Sequence, residues 1–254
     1  MDVSCVPIPV DSRAPTGRTN AYLVGTGDAL LVDPADQHPE LTALLDEQPP
    51  SHIAVTHTHR DHVGAVSHYA DRYEASVWAF EGFVDRFADA TGRRPDHTFT
   101  AGDRVGPTRV LPTPGHARDH VAFELGTEAL VGDLAVAEGS VFVGGADGDL
   151  VDYLDSLRRL LRGDFVRLHP GHGSRIDDPS TTIQRLIDHR LDREQRVRSA
   201  VEAGYETVEE ILEEAYDKDL SGVRDLASMA VEAHLEKLDA DGVIDWDGHR
   251  AGRR

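Results

Sequence analysis

The chain has 254 residues, room for one large domain or for a domain with a small appendage. Its 46 acidic and 26 basic residues give a net charge of −20, which argues against coating nucleic acid or an anionic membrane by bulk charge. The single cysteine, Cys5, excludes an internal disulfide, and no apolar run approaches the roughly 18 residues needed to span a bilayer.

The N-terminus, MDVSCVPIPVDSR, lacks a basic start and is broken by Pro7 and Pro9. It does not read as a secretory signal, so a soluble cytoplasmic protein is expected. The lysines are Lys218 and Lys237, so nearly all the basic charge is arginine. An Asp-rich, Lys-poor surface stays soluble where salt screens its self-repulsion, as on proteins of salt-loving organisms.

In chain order, apolar runs at 20–25 and 29–33 predict a hairpin. Residues 39–48 predict a helix ended by Pro49-Pro50. Residues 52–56 predict a buried strand, 62–72 a helix and 75–79 a strand. Further strands are expected at 109–113, 120–125 and 128–132, an amphipathic helix at 149–162 and a strand at 164–169. After Asp177-Asp178-Pro179 the character changes. Residues 181–203 read as a helix through Ile183, Leu186, Ile187, Leu191, Val197 and Val201. Thr207 and Glu210 form a capping box for a helix at 208–216, another helix spans about 222–239, and 242–246 reads as a short strand. The expected organisation is an α+β catalytic domain over 1–178 and a helical, winged-helix-like domain over 179–254.

The sharpest signal is His57-Thr58-His59-Arg60-Asp61-His62, three imidazoles and a carboxylate directly after a buried strand. On an extended segment His57 and His59 point to one side, and Asp61 and His62 can turn back toward it. This donor set suits zinc and similar metals. His116 in Thr113-Pro114-Gly115-His116, Asp133 after an apolar strand, and His172 in His169-Pro170-Gly171-His172 are each weak alone. Together with the first cluster they supply what two metal sites sharing a carboxylate need. No G-x-S-x-G elbow is present, Cys5 has no evident base nearby, and Gly144-Gly145 lacks a phosphate-loop context.

This order of residues resembles the metallo-β-lactamase superfamily, over about residues 18–178. The resemblance implies a four-layer αββα sandwich. It implies that His57, His59 and His116 hold one metal, that Asp61, His62 and His172 hold the other, and that Asp133 bridges. Two divalent ions are implied, zinc foremost, with Mn2+ or Fe2+ as alternatives. The ions would lower the pKa of a shared hydroxide that attacks the substrate, with Asp61 taking part in catalysis. Asn20-Ala21-Tyr22 and Leu31-Val32-Asp33-Pro34 resemble the family's opening hairpin, with Asp33 in support behind the ligands. The segments around His116, His172 and His189, and the tail near Ala233-His234, resemble the branch of the lactamase-like endoribonuclease, which carries a winged-helix-like end. His120 and Asp119 are candidates for ligand support or for protonating a leaving group.

Three functions follow. The first is a phosphodiesterase acting on single-stranded RNA, with Arg60, Arg118 and Arg190 gripping phosphates; Arg175, Arg185, Arg193 and others would extend the track, and Arg190 would pair with Glu194. The second is a hydrolase of a small thioester, ester or lactone, similar to glyoxalase II. The third is a non-enzymatic regulator whose tail binds DNA. The sequence leaves oligomeric state open.

Overall fold

The computed structural model describes residues 2–14, 16–216 and 220–254; Lys218 lies outside them. Short apolar runs separated by turns build two sheets face to face. The first has six strands in the order of the chain, β1 (Val3–Pro9), β2 (Arg18–Val24), β3 (Leu30–Val32), β4 (His52–Ala54), β5 (Ser76–Phe80) and β6 (His97–Phe99). The second has five, in the order β11 (Arg167–Pro170), β10 (Glu128–Gly132), β9 (Val121–Leu125), β8 (Thr108–Pro112) and β7 (Arg104–Val105). Between them lies a core of Tyr22, Val24, Leu30, Val32, Phe99, Val110 and Phe123.

Helices cover both outer faces. Leu41 and Leu45 of α1 (Pro39–Glu47), Tyr69 of α3 (Val66–Tyr73) and Phe87 of α4 (Val84–Thr91) pack on the first sheet. Leu154 and Leu157 of α5 (Leu150–Leu161) and Ile183 and Leu186 of α6 (Pro179–Ala203) pack on the second. The result is the expected αββα layering. A fourth cluster joins α6 to α7 (Val208–Ala215), α8 (Arg224–Ala240) and a terminal hairpin of β12 (Ile244–Trp246) and β13 (Ala251–Arg253). The Thr207–Glu210 capping box is formed as its spacing predicts.

Some elements depart from expectation for local reasons. Strand β1 was not anticipated because of Pro7 and Pro9. It lies at the sheet edge, where a missing amide costs no ladder bond. The helix expected at 62–72 is split into α2 (Arg60–Val63) and α3. Ala65 donates its amide to the Pro34 carbonyl, and Gly64 lies so close to Ala35 that a Cβ would strike its carbonyl oxygen. Helix α4, strands β6 and β7, and β13 were also unanticipated. The expected inward Leu191 is 39% exposed, while Arg190 beside it is 5% exposed.

Candidate metal centre

The loops after β4, β8, β10 and β11 open at one edge of the sandwich, and each delivers donors to it. His57 and His59 follow β4, Asp61 and His62 lie in α2, His116 lies after β8, Asp133 directly follows β10 and His172 follows β11. Three donor groups converge: His57, His59 and His116; Asp61, His62 and His172; and His57, His62 and Asp133. In the first, His57 Nε2 and His116 Nε2 each lie 3.0 Å from His59 Nδ1. In the second, His172 Nε2 lies 3.6 Å from Asp61 Oδ2. Asp133 stands between the groups, 3.3 Å from His172 Nε2 and 3.6 Å from both His62 Nε2 and His116 Nε2.

The chemistry of these atoms fits cations. His62 Nε2 and Asp133 Oδ1 are buried and have no hydrogen-bond partner, although an orphaned buried polar atom is costly. Burial disfavours a charged His62, yet Asp133 and Asp33 push its pKa up to about 9. Burial, aided by the neighbouring histidines, keeps His57 neutral. Burial also opposes charge on Asp133, but His62 and His172 hold it ionised. A neutral imidazole with its lone pair aimed inward, beside an anionic carboxylate, is a metal-ligand set.

Each donor is held from behind. Asp33, at the end of β3, accepts from Thr56 N at 2.7 Å and Thr56 Oγ1 at 2.8 Å, and sits 3.0 Å from His62 Nδ1. Its φ is +53°, a left-handed conformation that a non-glycine residue adopts only under constraint. Asp119 accepts from Thr58 N and Thr58 Oγ1, fixing the residue between His57 and His59. His172 Nδ1 donates to the Arg18 carbonyl at 2.7 Å. Asn20 Nδ2 and Tyr22 Oη donate to the Pro170 carbonyl and so hold the His172 loop. Two glycines permit the approach: a Cβ on Gly171 would lie 2.5 Å from Asp133 Oδ1, and one on Gly132 would lie 2.5 Å from Thr56 Oγ1.

Of the two roles expected of His120, its contacts match ligand support. It is fully buried, its Nε2 accepts the Asp133 amide at 3.1 Å, and its Nδ1 lies 2.8 Å from Thr113 Oγ1. Burial and His116 depress its pKa to about 3, so it stays neutral and holds Asp133 in place. Arg190 departs from expectation. It is buried, and no pair with Glu194 forms among the described residues. Its guanidinium lies over the Tyr153 ring, 5.3 Å from the centroid, and donates to the Val141 carbonyl; Glu194 meets Lys237 at 3.1 Å instead. The wider arginine track is also engaged: Arg175 pairs with Asp177, Arg185 bonds three carbonyls and Arg193 lies over Tyr216. Arg60 and Arg118 are exposed beside the ligand motifs.

Several supporting residues were not anticipated. Ser12 Oγ donates to Asp61 Oδ2 at 2.6 Å. Asp147 lies 3.1 Å from His59 Nε2 and pairs with Arg86, which also donates to Thr58 Oγ1. The Phe142 carbonyl accepts from His116 Nδ1 at 2.7 Å. A loop aspartate, a helix arginine and a main-chain carbonyl carry no local sequence signature, since folding alone brings them together.

A model of the Metallo-beta-lactamase superfamily matches residues 14–172. The chain is 30% identical over 249 residues to Beta-lactamase-like protein 2 homolog of Caenorhabditis elegans, across 89% of this chain and 80% of that protein. It is 27% identical over 263 residues to atrochrysone carboxyl ACP thioesterase of Aspergillus terreus, across 93% and 79%. A metallo-beta-lactamase family protein of Thermus thermophilus superposes with a TM-score of 0.79 at 25% identity, covering 99% of this chain and 98% of that one.

Proposed function

The chain belongs to the metallo-beta-lactamase superfamily as a metal-dependent hydrolase, and from that premise we propose that it cleaves a small thioester or ester at two divalent ions, zinc foremost. The observation that carries the metal reading is the meeting of the donor groups around Asp133, with His62 Nε2 and Asp133 Oδ1 left unpartnered. In this reading His57, His59 and His116 take one ion, Asp61, His62 and His172 the other, and Asp133 both. The bound ions would supply Lewis acidity and a water ionised near neutral pH. The chain supplies the geometry: Asp33, Asp119 and Asp147 fix the ligands, and His120 fixes Asp133. Residues 1–178 form the catalytic domain and 179–254 an accessory one.

Two features favour a thioester over a phosphodiester. His120, one candidate for a proton donor, has both nitrogens engaged and is neutral. A thiol with a pKa of about 8.5 departs as thiolate without help, whereas an alkoxide needs a proton. The likeness to a thioesterase supports the same choice. An RNA-directed reading stands second, favoured by the exposed Arg60 and Arg118; the burial of Arg190 weakens it.

The test is turnover of metal-reconstituted protein on an acyl-glutathione thioester, single-stranded RNA and a cephalosporin, at low and multimolar salt. Thioester cleavage with RNA intact is expected. Rapid RNA cleavage beside an inert thioester would replace this reading with the nuclease.

A further inference from the structure

Residues 136–148, between β10 and α5, carry the outer partners of two histidines of the first triplet. The Phe142 carbonyl orients His116 and the Asp147 carboxylate orients His59. Within this stretch the regular structure is one short turn, Gly145–Asp147, so its own hydrogen bonds do little to fix it. Val141 and Val143 pack in the core, Arg86 of α4 holds Asp147, and the C-terminal helices bind its main chain. From α6, Arg185 donates to the carbonyls of Gly139 at 2.6 Å, Val136 at 3.0 Å and Ala137 at 3.1 Å. One turn further, Arg190 donates to the carbonyl of Val141, the residue before Phe142. From α8, Met229 closes on the far end of the stretch, where a Cβ on Gly144 would lie 2.6 Å from the Met229 carbonyl oxygen.

We propose that Arg190 is a positioning residue for the first metal ion: it fixes Val141, and with it the Phe142 carbonyl that sets the His116 ring. The inference rests on the two-ion reading above. Arg190 sits on the apolar stripe of α6, seven residues after Ile183 and seven before Val197, both buried. Packing alone is better served there by Leu or Met, because a buried guanidinium loses its hydration. It donates to the main chain of the loop at Val141, whose side chain packs in the core beneath α5 and α6. A metal-ligating imidazole is aimed by whatever its second nitrogen bonds, so a shift of the Phe142 carbonyl turns His116 Nε2 away from its partners. The outer hydrogen bonds of the second triplet run elsewhere, to Asp33, Arg18 and Ser12.

The test uses the full chain loaded with zinc, then with cobalt. Chelator competition gives the two affinities, and cobalt absorption separates the ion on three histidines and Asp133 from the one that also has Asp61, with His116→Ala protein identifying the first ion's bands. Arg190→Met is expected to weaken the first ion about tenfold or more and shift its bands, with the second unchanged and the protein folded by circular dichroism. Arg190→Lys should recover part of the loss. Should Arg190→Met fail to fold, Arg185→Gln on the exposed face should move the first ion the same way by a smaller factor. Unchanged first-ion affinity, or equal loss of both ions, in a folded variant overturns the inference and leaves the two-ion reading standing. An unmodified chain that takes up no ions sinks that reading and this inference with it.

Discussion

The two donor triplets differ in make-up, three imidazoles against two and a carboxylate, and they lean on different parts of the molecule. His62 and His172 are aimed by the first sheet, through Asp33 at the end of β3 and the Arg18 carbonyl of β2. His59 and His116 are aimed by the loop 136–148, held at Asp147 by Arg86 of α4 and before Phe142 by the C-terminal helices. One triplet is therefore backed by strand ends, and the other by a loop that leans on α4, α6 and α8. A metal site takes its precision from what stands behind its ligands. Changes in the tail should accordingly register in one half of the centre.

The largest expected effect erases the difference. Asp133 faces His62, His116 and His172 together, so Asp133→Ala should cost both ions. Elemental analysis should then give far less than two ions per folded chain, and turnover should fall by more than the about 10–100-fold typical of an outer partner. Retention of two tightly held ions would remove Asp133 from the centre. Asp61→Ala belongs to the same class: a folded variant with near-normal turnover would refute its role as a ligand.

Smaller effects sharpen the comparison. Asp33→Ala removes the acceptor shared by Thr56 and His62 and leaves the buried His62 without its backing. The second ion should be lost first, with destabilisation of about 3 kcal/mol by denaturant titration, because one partner of a buried pair has gone. Asp147→Ala is its mirror image. It should weaken the first ion by about tenfold and spare the second, read by chelator competition. If both substitutions affected both ions alike, the centre would be a single mechanical unit and the contrast would fail.

Much of this centre was legible in the chain itself. His57, His59, Asp61, His62, His116, Asp133 and His172 each follow a strand-like apolar run, and strand ends collect at one sheet edge. The hairpin carrying Asn20, Tyr22 and Asp33 was legible by resemblance. Arg190 was misread because an Arg and a Glu four residues apart look like an exposed helical ion pair. The stripe through Ile183, Leu186, Ile187 and Val197 already placed 190 inside and 191 outside; the apolar Leu191 drew the face one residue too far. For His120 the chain leaves two roles open, because what an imidazole does depends on which groups occupy its two nitrogens, and these come from Thr113 and Asp133. Asp147, Arg86 and the Phe142 carbonyl had no signal to read.

The smallest expected effect lies where the tail also approaches the second triplet. Arg13 pairs with Asp225 of α8 at 2.6 Å and donates to the Gly222 carbonyl, one residue from Ser12, which bonds Asp61. On paper this contact mirrors Arg190, but its setting differs. Both side chains are more than half exposed, so water and salt screen the pair, and exposed ion pairs contribute little. The hydrogen bond from Arg13 lowers the Asp225 pKa from 3.8 to about 2. The folded value lies below the unfolded one, so the pair's contribution is fully present above about pH 4 and fades as pH falls through 2. At neutral pH, Asp225→Asn should leave both ions at their original affinities, in low and in molar salt. Acid unfolding of the variant should begin at slightly higher pH, because the paired carboxylate no longer resists protonation there. A loss of the second ion as large as the first-ion loss in Arg190→Met would mean that the tail governs both triplets, and the contrast between a sheet-backed and a helix-backed half would have to be given up.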